Sequence, residues 1–248
     1  MGDIIYLVER SLTMLKHDLI KRNPLRLLDS EGSRILGEGE FGGVVARAGV
    51  GKTAFLVQVA MDSLLNGKNV LHISLDQPVK KVCLWYEEVF NSITEEYNFK
   101  NGNTLWEEIL LHRFIMTFKS GDFNIEILEE RLNDLIEQGI FFPQVCLVDG
   151  LKFDETVREI LNELKLLAKD QGFPCWFSIK SHRDEPKVES GFPVSLAQVE
   201  DLFDVVFELA PSTNEIEIRV LKDKAGRFKD PGDRVVLDPS TFLMKKSD

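Results

Sequence analysis

The segment from Ala46 to Thr53, which reads ARAGVGKT, constrains the fold more than any other part of the chain. An apolar run that begins at Gly43 leads into it, and a helical pattern of apolar residues starts at Lys52 and continues to about residue 66. A glycine-rich turn between a strand and a helix can direct successive backbone N–H groups at a phosphate, and the helix N-terminus adds positive charge. The segment therefore predicts a phosphate-binding loop of the P-loop type, with Ala46 at the motif's first glycine position.

The residues of this loop have separate expected roles. The backbone predicted to surround the phosphates comprises Ala48, Gly49, Val50, Gly51, Lys52, Thr53 and Ala54. The Lys52 ammonium is expected to reach the β- and γ-phosphates, and the Thr53 hydroxyl is expected to bind Mg²⁺. Glycine suits such a turn because it allows close approach and adopts positive φ values readily. The loop thus predicts a nucleoside triphosphate and Mg²⁺ as cofactors.

A second metal ligand is expected at the end of a neighbouring strand. Four apolar residues, from Val145 to Val148, are followed directly by Asp149. A carboxylate in that position can hold the hydration shell of Mg²⁺, so Thr53 and Asp149 are the predicted metal site. The alternative for a lone aspartate after a strand is a helix cap or a turn.

The rest of the pattern alternates strands and helices and predicts an α/β fold. Strand-like runs lie near 43–47, 69–75, 113–118, 144–149, 174–180 and 203–209, and helical patterns near 52–66, 78–98, 104–112, 125–138 and 154–170. Several strands are continuously apolar, which is typical of a mainly parallel sheet covered by helices on both faces. Beyond residue 203 short runs separated by turns, near 215–221, 234–237 and 241–245, predict antiparallel strands.

We divide the chain into an N-terminal helix and connector, residues 1–35, and one domain, residues 36–248. Apolar residues from Ile5 to Leu19 recur at spacings of three and four, and Asn23-Pro24 ends the pattern. This helix can pack on its own domain or lie against a neighbouring subunit. Aromatic residues near 81–111 leave a similar choice between helix core and a docking surface.

Composition limits the partners. A net charge of −11 argues against a basic coat for nucleic acid, and the loop at 180–192 mixes both signs, so charge does not support DNA binding. No apolar run approaches the roughly 20 residues of a membrane span, and the N-terminus lacks a signal-peptide pattern, which predicts a cytoplasmic protein. The four histidines have no metal-ligand spacing, and the three cysteines suggest free, mostly buried thiols.

Segments along residues 36–245 resemble the RecA superfamily, most closely its KaiC and DnaB-helicase branches. The resembling segments are EFGGVV at 40–45, HISLDQP at 72–78, FSIKSHR at 177–183, VLKDKAGR at 220–227 and VVLDPSTF at 235–242. The resemblance implies a RecA-like P-loop NTPase core, ATP as the nucleotide, and self-association as a ring or filament. It also implies that basic residues of one subunit reach the γ-phosphate held by its neighbour.

By position, the resemblance makes Lys222 and Lys224 catalytic, with Arg227 as a further candidate; the family has an arginine where Lys224 stands. It places Asp76 and Gln77 where the relatives use a glutamate to polarise the attacking water. Aspartate is one methylene shorter, and a base displaced by about 1 Å lowers the rate on the order of a hundredfold. We therefore expect a slow ATPase with Lys52, Asp76, Gln77, Lys222 and Lys224 in its catalytic machinery.

Two alternatives remain from the sequence. The loop also resembles the KGGVGKT loop of ParA/MinD partitioning ATPases, with Arg47 at their signature lysine, which implies an ATP-dependent dimer. The altered pair Asp76-Gln77 instead suits a regulator that binds nucleotide with little turnover.

Overall fold

A computed structural model describes residues 16–17, 19–21, 23–28, 35–97, 102–119, 121–182, 185–189, 191–228 and 234–247. Its strands are β1 Phe41–Ala46, β2 Val70–Ser74, β3 Arg113–Thr117, β4 Val145–Asp149, β5 Cys175–Lys180, β6 Val205–Pro211, β7 Ile216–Asp223, β8 Val235–Leu237 and β9 Met244–Lys246. Its α-helices are α1 Lys52–Leu65, α2 Val79–Glu96, α3 Gly102–Leu110, α4 Ile125–Glu137, α5 Val157–Asp170 and α6 Val194–Ala197.

The nine strands form one sheet in the order β3-β2-β4-β5-β1-β6-β7-β8-β9. The pairings among the first six of these strands are parallel, whereas β7, β8 and β9 are each antiparallel to the strand before them. The prediction of an α/β fold with a mainly parallel sheet and antiparallel strands at its C-terminal end is confirmed. One strand, β5, separates β1 from β4.

Two hydrophobic clusters cover the two faces of the sheet. In β4, Val145 and Leu147 belong to the cluster that α1, α2 and α3 cover. Their neighbours Cys146 and Val148 belong to the cluster that α4 and α5 cover. Alternate side chains of one strand thus enter opposite cores, which explains why the run is apolar throughout. The expected helices on both faces are confirmed.

The predicted boundaries agree with the structure to within a few residues, with two differences. Residues 239–241 form a turn, residues 242 and 243 are irregular, and β9 begins only at Met244, because backbone bonds of Asp238 to Phe242 and Leu243 close a tight loop there. The short helix α6 was not predicted, because four residues are too few to show a period. Gly67 and Gly139 have positive φ values just past α1 and α4, as a left-handed cap requires.

The described part of the N-terminal segment packs on this same sheet assembly. Residues 16, 17 and 19–21 are helical, and the rest of the predicted helix from Asp3 to Arg22 lies outside the described residues. Leu19 and Leu25 are buried in the cluster that contains α1. This agrees with packing on the chain's own domain. Within the described ranges, no helix has both the length and the apolar character needed to cross a membrane.

Candidate functional site

A cleft of about 750 Å³ opens where β1, β2, β4 and β5 end. These strands are parallel, so their carboxyl ends meet at one edge of the sheet, where ligands of such sheets bind. The predicted residues that line the cleft are Ala48, Gly49, Gly51, Lys52, Thr53, Asp76, Gln77 and Asp149. The fold thus brings together the predicted loop, the predicted metal ligands and the Asp76-Gln77 pair from three separate stretches of sequence.

Glycine is required at two positions of the 46–53 loop. Gly49 has φ 78° and Gly51 has φ 109°, both in the left-handed region. At Gly51 a Cβ atom would also lie 2.8 Å from the Leu237 side chain. Two other predicted phosphate contacts, Val50 and Ala54, direct their side chains away from the cleft; Ala54 is fully buried, and Val50 packs against the core. Only their backbone N–H groups remain suited to the predicted role.

The Lys52 side chain bends back over the loop. Its ammonium donates to the backbone carbonyls of Ala46 over 3.0 Å and of Arg47 over 2.9 Å. Burial lowers the pKa of Lys52, and nearby Asp149 partly offsets that effect. A partly desolvated ammonium held only by neutral carbonyls gains strongly from an anion, since an anion supplies the charge compensation that water gives in the open.

Thr53 and Asp149 meet directly. The Thr53 hydroxyl donates to Asp149 Oδ2 over 2.8 Å, although the two residues belong to different elements. Ser178 of β5 donates to the other oxygen, Oδ1, and accepts from the backbone N–H of Gly150 over 3.0 Å. Asp149 is buried, so these bonds fix both of its oxygens beside the loop.

This donor set fits Mg²⁺ and does not fit a metal held by protein alone. No three His, Cys, Asp or Glu side chains among the described residues cluster closely enough to hold a metal ion. Mg²⁺ commonly takes one or two protein oxygens and completes its octahedron with phosphate oxygens and water. The Thr53 hydroxyl and the Asp149 carboxylate could supply those protein contacts, directly or through water.

Asp76 and Gln77 follow β2 and border the same space. The Asp76 carboxyl lies against Gly150, where a Cβ atom would come within 2.8 Å of Asp76 Cγ. Partial burial raises the pKa of Asp76, and the nearby Asp149 carboxylate raises it further. The Gln77 amide oxygen is buried without a hydrogen-bond partner among the described atoms. An acceptor whose pKa is raised and an amide with spare capacity are suited to orient water.

The structure places Lys222 and Lys224 away from this cleft. Asp223, between them, pairs with Val205 at the amino-terminal edge of the parallel strands, opposite the 46–53 loop. Lys222 donates to the Glu200 carbonyl over 2.6 Å, and Lys224 forms an ion pair with Asp204. These lysines therefore cannot serve the loop of their own chain.

The further candidate, Arg227, is also held within its own domain. Its guanidinium binds both carboxylate oxygens of Glu40 at 2.8 Å. It donates in addition to the backbone carbonyl of Ile35. Arg227 lies at the same edge of the sheet as Lys224, since β1 begins just after Glu40.

Several residues of the cleft were not predicted. They are Lys81, Trp85, Gly150, Leu151, Lys152, Phe153, Asp154, Ser178, Lys180, His182, Ser195 and Phe242. Ser178 did leave a signal, because it is a lone polar residue inside an apolar strand. Lys180 left a weaker sequence signal, because it is a charged residue at the end of that strand. Nothing local distinguishes Phe242, which reaches the loop from the far end of the sequence.

Charge in the cleft has the opposite balance to the whole chain. Four lysines line it, namely Lys52, Lys81, Lys152 and Lys180, against three aspartates, Asp76, Asp149 and Asp154. The chain as a whole carries −11. With the positive end of α1 added, this cleft is a place where an acidic protein can hold an anion.

In the described part of the loop at 180–192, two charged side chains have partners within the domain. Lys187 pairs with Glu208, and Glu185 accepts from the backbone N–H groups of His182 and Ser195. These two side chains are thus held within the domain, and the expectation from sequence about DNA binding stays a prediction. Arg183 and Asp184 lie outside the described residues.

Comparison with known proteins assigns this chain to no family. No protein-family model matches the chain, and a search of curated proteins finds no match.

Proposed function

We propose that this chain binds ATP with Mg²⁺ in the cleft and hydrolyses it slowly, as a RecA/KaiC-like P-loop ATPase. The observation that carries the proposal is the 2.8 Å bond between the Thr53 hydroxyl and Asp149 beside the Lys52 ammonium. A hydroxyl at the start of a helix, a strand-end carboxylate and a lysine in one cleft form the set that Mg²⁺-bound phosphates require. Mg²⁺ would neutralise charge on the phosphates. The chain's own groups would hold the phosphates, position the metal ligand and orient the attacking water.

Those groups have distinct tasks. The backbone of the 46–53 loop and the end of α1 would hold the β-phosphate, and Lys52 would leave its two carbonyl partners to bind phosphate oxygens. Ser178 keeps the Asp149 carboxylate in place through its hydrogen bond. Asp76 would accept a proton from the attacking water while Gln77 orients it.

Slow turnover follows from where Asp76 lies. Its carboxyl group lies beside Gly150, and because aspartate is one methylene shorter than glutamate we expect it to extend less far into the cleft than a glutamate would. Displacement of a base by about 1 Å is enough to lower a rate on the order of a hundredfold. We therefore expect the chain to bind the nucleotide readily and to hydrolyse it slowly.

Self-association belongs to the same proposal. Lys222, Lys224 and Arg227 face away from their own cleft, and a γ-phosphate can meet them only on another subunit. A ring or filament in the cytoplasm, with each cleft completed by the neighbour's lysines, agrees with the resemblance to KaiC and DnaB. The bonds to Glu200, Asp204 and Glu40 would then have to rearrange as subunits join.

Titration calorimetry with a slowly hydrolysed ATP analogue and Mg²⁺ tests the binding claim. We expect micromolar to millimolar affinity for the natural chain and strong loss in Lys52→Ala. Asp149→Asn should weaken binding only when Mg²⁺ is present, while Lys187→Ala, a surface lysine outside the cleft, should leave it unchanged. Absence of heat at millimolar ligand, with no effect of Lys52→Ala, would refute the proposal.

A second candidate is a regulator that uses ATP as a ligand with no significant turnover. The limited reach of Asp76 and the unpartnered Gln77 oxygen favour it. The ParA/MinD alternative is less well supported: Arg47 is exposed at the loop, but the three antiparallel strands at the end of the sheet have no part in that resemblance.

A further inference from the structure

The cleft has an aromatic wall directly beside the 46–53 loop. Trp85 of α2 and Phe242 of the turn before β9 meet edge to face, with ring centroids 5.7 Å apart. Both side chains are partly buried, and both line the cleft. A Cβ atom placed at Gly51 would lie 3.2 Å from the Phe242 ring, so this wall begins where the loop enters α1.

Phe242 is held in an unusual backbone conformation. Its φ of 55° is positive, which is uncommon for a bulky residue. The buried side chain of Gln58, on α1, donates to the Phe242 carbonyl over 2.7 Å and accepts from the backbone N–H of Met244 over 3.0 Å. The turn is therefore tied to the helix that follows the loop. Strained residues that the surroundings hold in place are concentrated at functional sites.

A third aromatic side chain of the cleft, Phe153, is arranged differently. It follows β4 on the side of Asp149, and its ring packs towards Phe203 in the opposite hydrophobic cluster. Trp85 and Phe242 both pack on the cluster that contains α1. Among the residues that the structure describes, only this pair combines a ring surface in the cleft with proximity to Gly51.

We propose that Trp85 and Phe242 form the base-binding end of the cleft and take a purine by stacking. This inference rests on the proposed function, because it assigns the base of the same nucleotide. When the phosphates are held between Gly49 and Thr53, the base needs a flat apolar surface next to the loop, and a ring face of this edge-to-face pair can provide it. Stacking accepts any aromatic base, so the affinities for ATP and GTP should be about equal. The affinity for CTP should be lower, because its pyrimidine ring is smaller.

Equilibrium titrations with Mg²⁺ complexes of ATP, GTP, CTP and inorganic tripolyphosphate test this assignment. Phe242→Ala and Trp85→Ala should each weaken ATP and GTP binding by about five- to a hundredfold. Tripolyphosphate, which has no base, should bind the variants as it binds the natural chain. Phe242→Tyr should retain ATP affinity. Phe153→Ala, in the cleft, and Trp106→Ala, a partly buried tryptophan outside it, are the matched controls.

Trp85 also supplies a direct signal. Its fluorescence should change with ATP and not with tripolyphosphate, and Trp85→Phe should remove the change while Trp106→Phe keeps it. Equal loss of ATP and tripolyphosphate binding in Phe242→Ala would overturn the inference, because Phe242 would then support the loop and not the base. Unchanged ATP affinity in both alanine variants would also overturn it. Failure of the natural chain to bind any of the four ligands would instead refute the proposed function.

Discussion

The Asp76 carboxyl group lies so close to Gly150 that a Cβ atom there would come within 2.8 Å of Asp76 Cγ. Gly150 has φ 90°, follows the predicted metal ligand Asp149, and donates its backbone N–H to Ser178. The glycine thus leaves space for the Asp76 carboxylate, which is the proposed base. The end of β4 thus contributes the Asp149 side chain to the cleft, and the residue that follows the strand, Gly150, contributes the space that a side chain would otherwise fill.

Gly150→Ala is expected to lower phosphate release at least tenfold, because the added methyl group displaces Asp76. Affinity for the Mg²⁺–nucleotide complex should change little. Gly121→Ala is the control, since Gly121 has a similar φ of 97° with no atom within 4 Å of the added Cβ. Each variant should lose about 1–3 kcal/mol of unfolding free energy, measured with urea, because alanine is strained at such φ values. Equal phosphate release by both variants would contradict the role of Asp76.

Asp76→Glu is expected to raise the rate of phosphate release by up to about a hundredfold, because the longer side chain moves the carboxylate towards the water. Asp76→Asn, which cannot accept the proton, should lower it. Single-turnover measurements at saturating nucleotide separate this step from binding. If glutamate and asparagine lower the rate alike, Asp76 is not a base with limited reach.

Mixed subunits test whether the cleft is shared. A Lys52→Ala chain keeps Lys222 and Lys224, and a Lys222→Ala/Lys224→Ala chain keeps Lys52. We expect each variant alone to be nearly inactive in phosphate release. Their mixture should recover a measurable fraction of the natural rate, since some interfaces pair an intact cleft with intact lysines. Lack of recovery in mixtures that do assemble, as judged by light scattering, would show that the lysines do not act on a neighbour.

His72 should make the protein less stable in acid. It is fully buried on β2, where its Nδ1 contacts the Tyr86 hydroxyl at 3.0 Å and its Nε2 has no partner among the described atoms. Burial, together with the smaller effect of the nearby positive charge of Arg113, lowers the pKa of His72 from 6.5 to about 3. Between pH 6.5 and pH 3 the unfolded chain therefore binds a proton that the folded chain does not.

The sign of the change in unfolding free energy with pH follows from this difference in pKa. The folded-state pKa is below the unfolded one, so unfolding free energy falls as pH decreases below 6.5, by about 2 kcal/mol between pH 6.5 and pH 5. Urea titrations at these two values should show that loss for the natural chain and for His17→Gln, whose side chain is exposed. His72→Gln should show a much smaller pH effect, whatever its absolute stability. An equal slope in both variants would assign the acid sensitivity to other groups.

Local signals account for what could be predicted. The 46–53 loop and the apolar run before Asp149 are each determined within a few residues, because turn chemistry and side-chain period are local. Parallel pairing of the strands could also be predicted from local sequence, because strands buried on both faces are continuously apolar. Boundaries were less sharp where neighbouring turns decide them, as at residues 241–243.

Contacts between distant parts of the chain could not be predicted. Phe242 becomes a cleft residue only because Gln58 holds its backbone against α1, and neither residue shows this in its local pattern. Likewise, Lys222 and Lys224 were selected by resemblance, and only the antiparallel pairing of β7 with β6 reveals that they lie at the opposite edge. The positions of Phe242 and of the two lysines both depend on contacts between distant segments, which the periodicity of the sequence does not encode.

The central position of β1 has a consequence for biosynthesis. Its two partners in the sheet are β5 and β6, which begin at Cys175 and Val205, so the strand that leads into the loop is translated long before either edge can be paired. Until β6 leaves the ribosome, Phe41–Ala46 remains an apolar segment with open backbone groups, a state prone to association with chaperones or other nascent chains. Truncated products that end before β6 should therefore be recovered as aggregates.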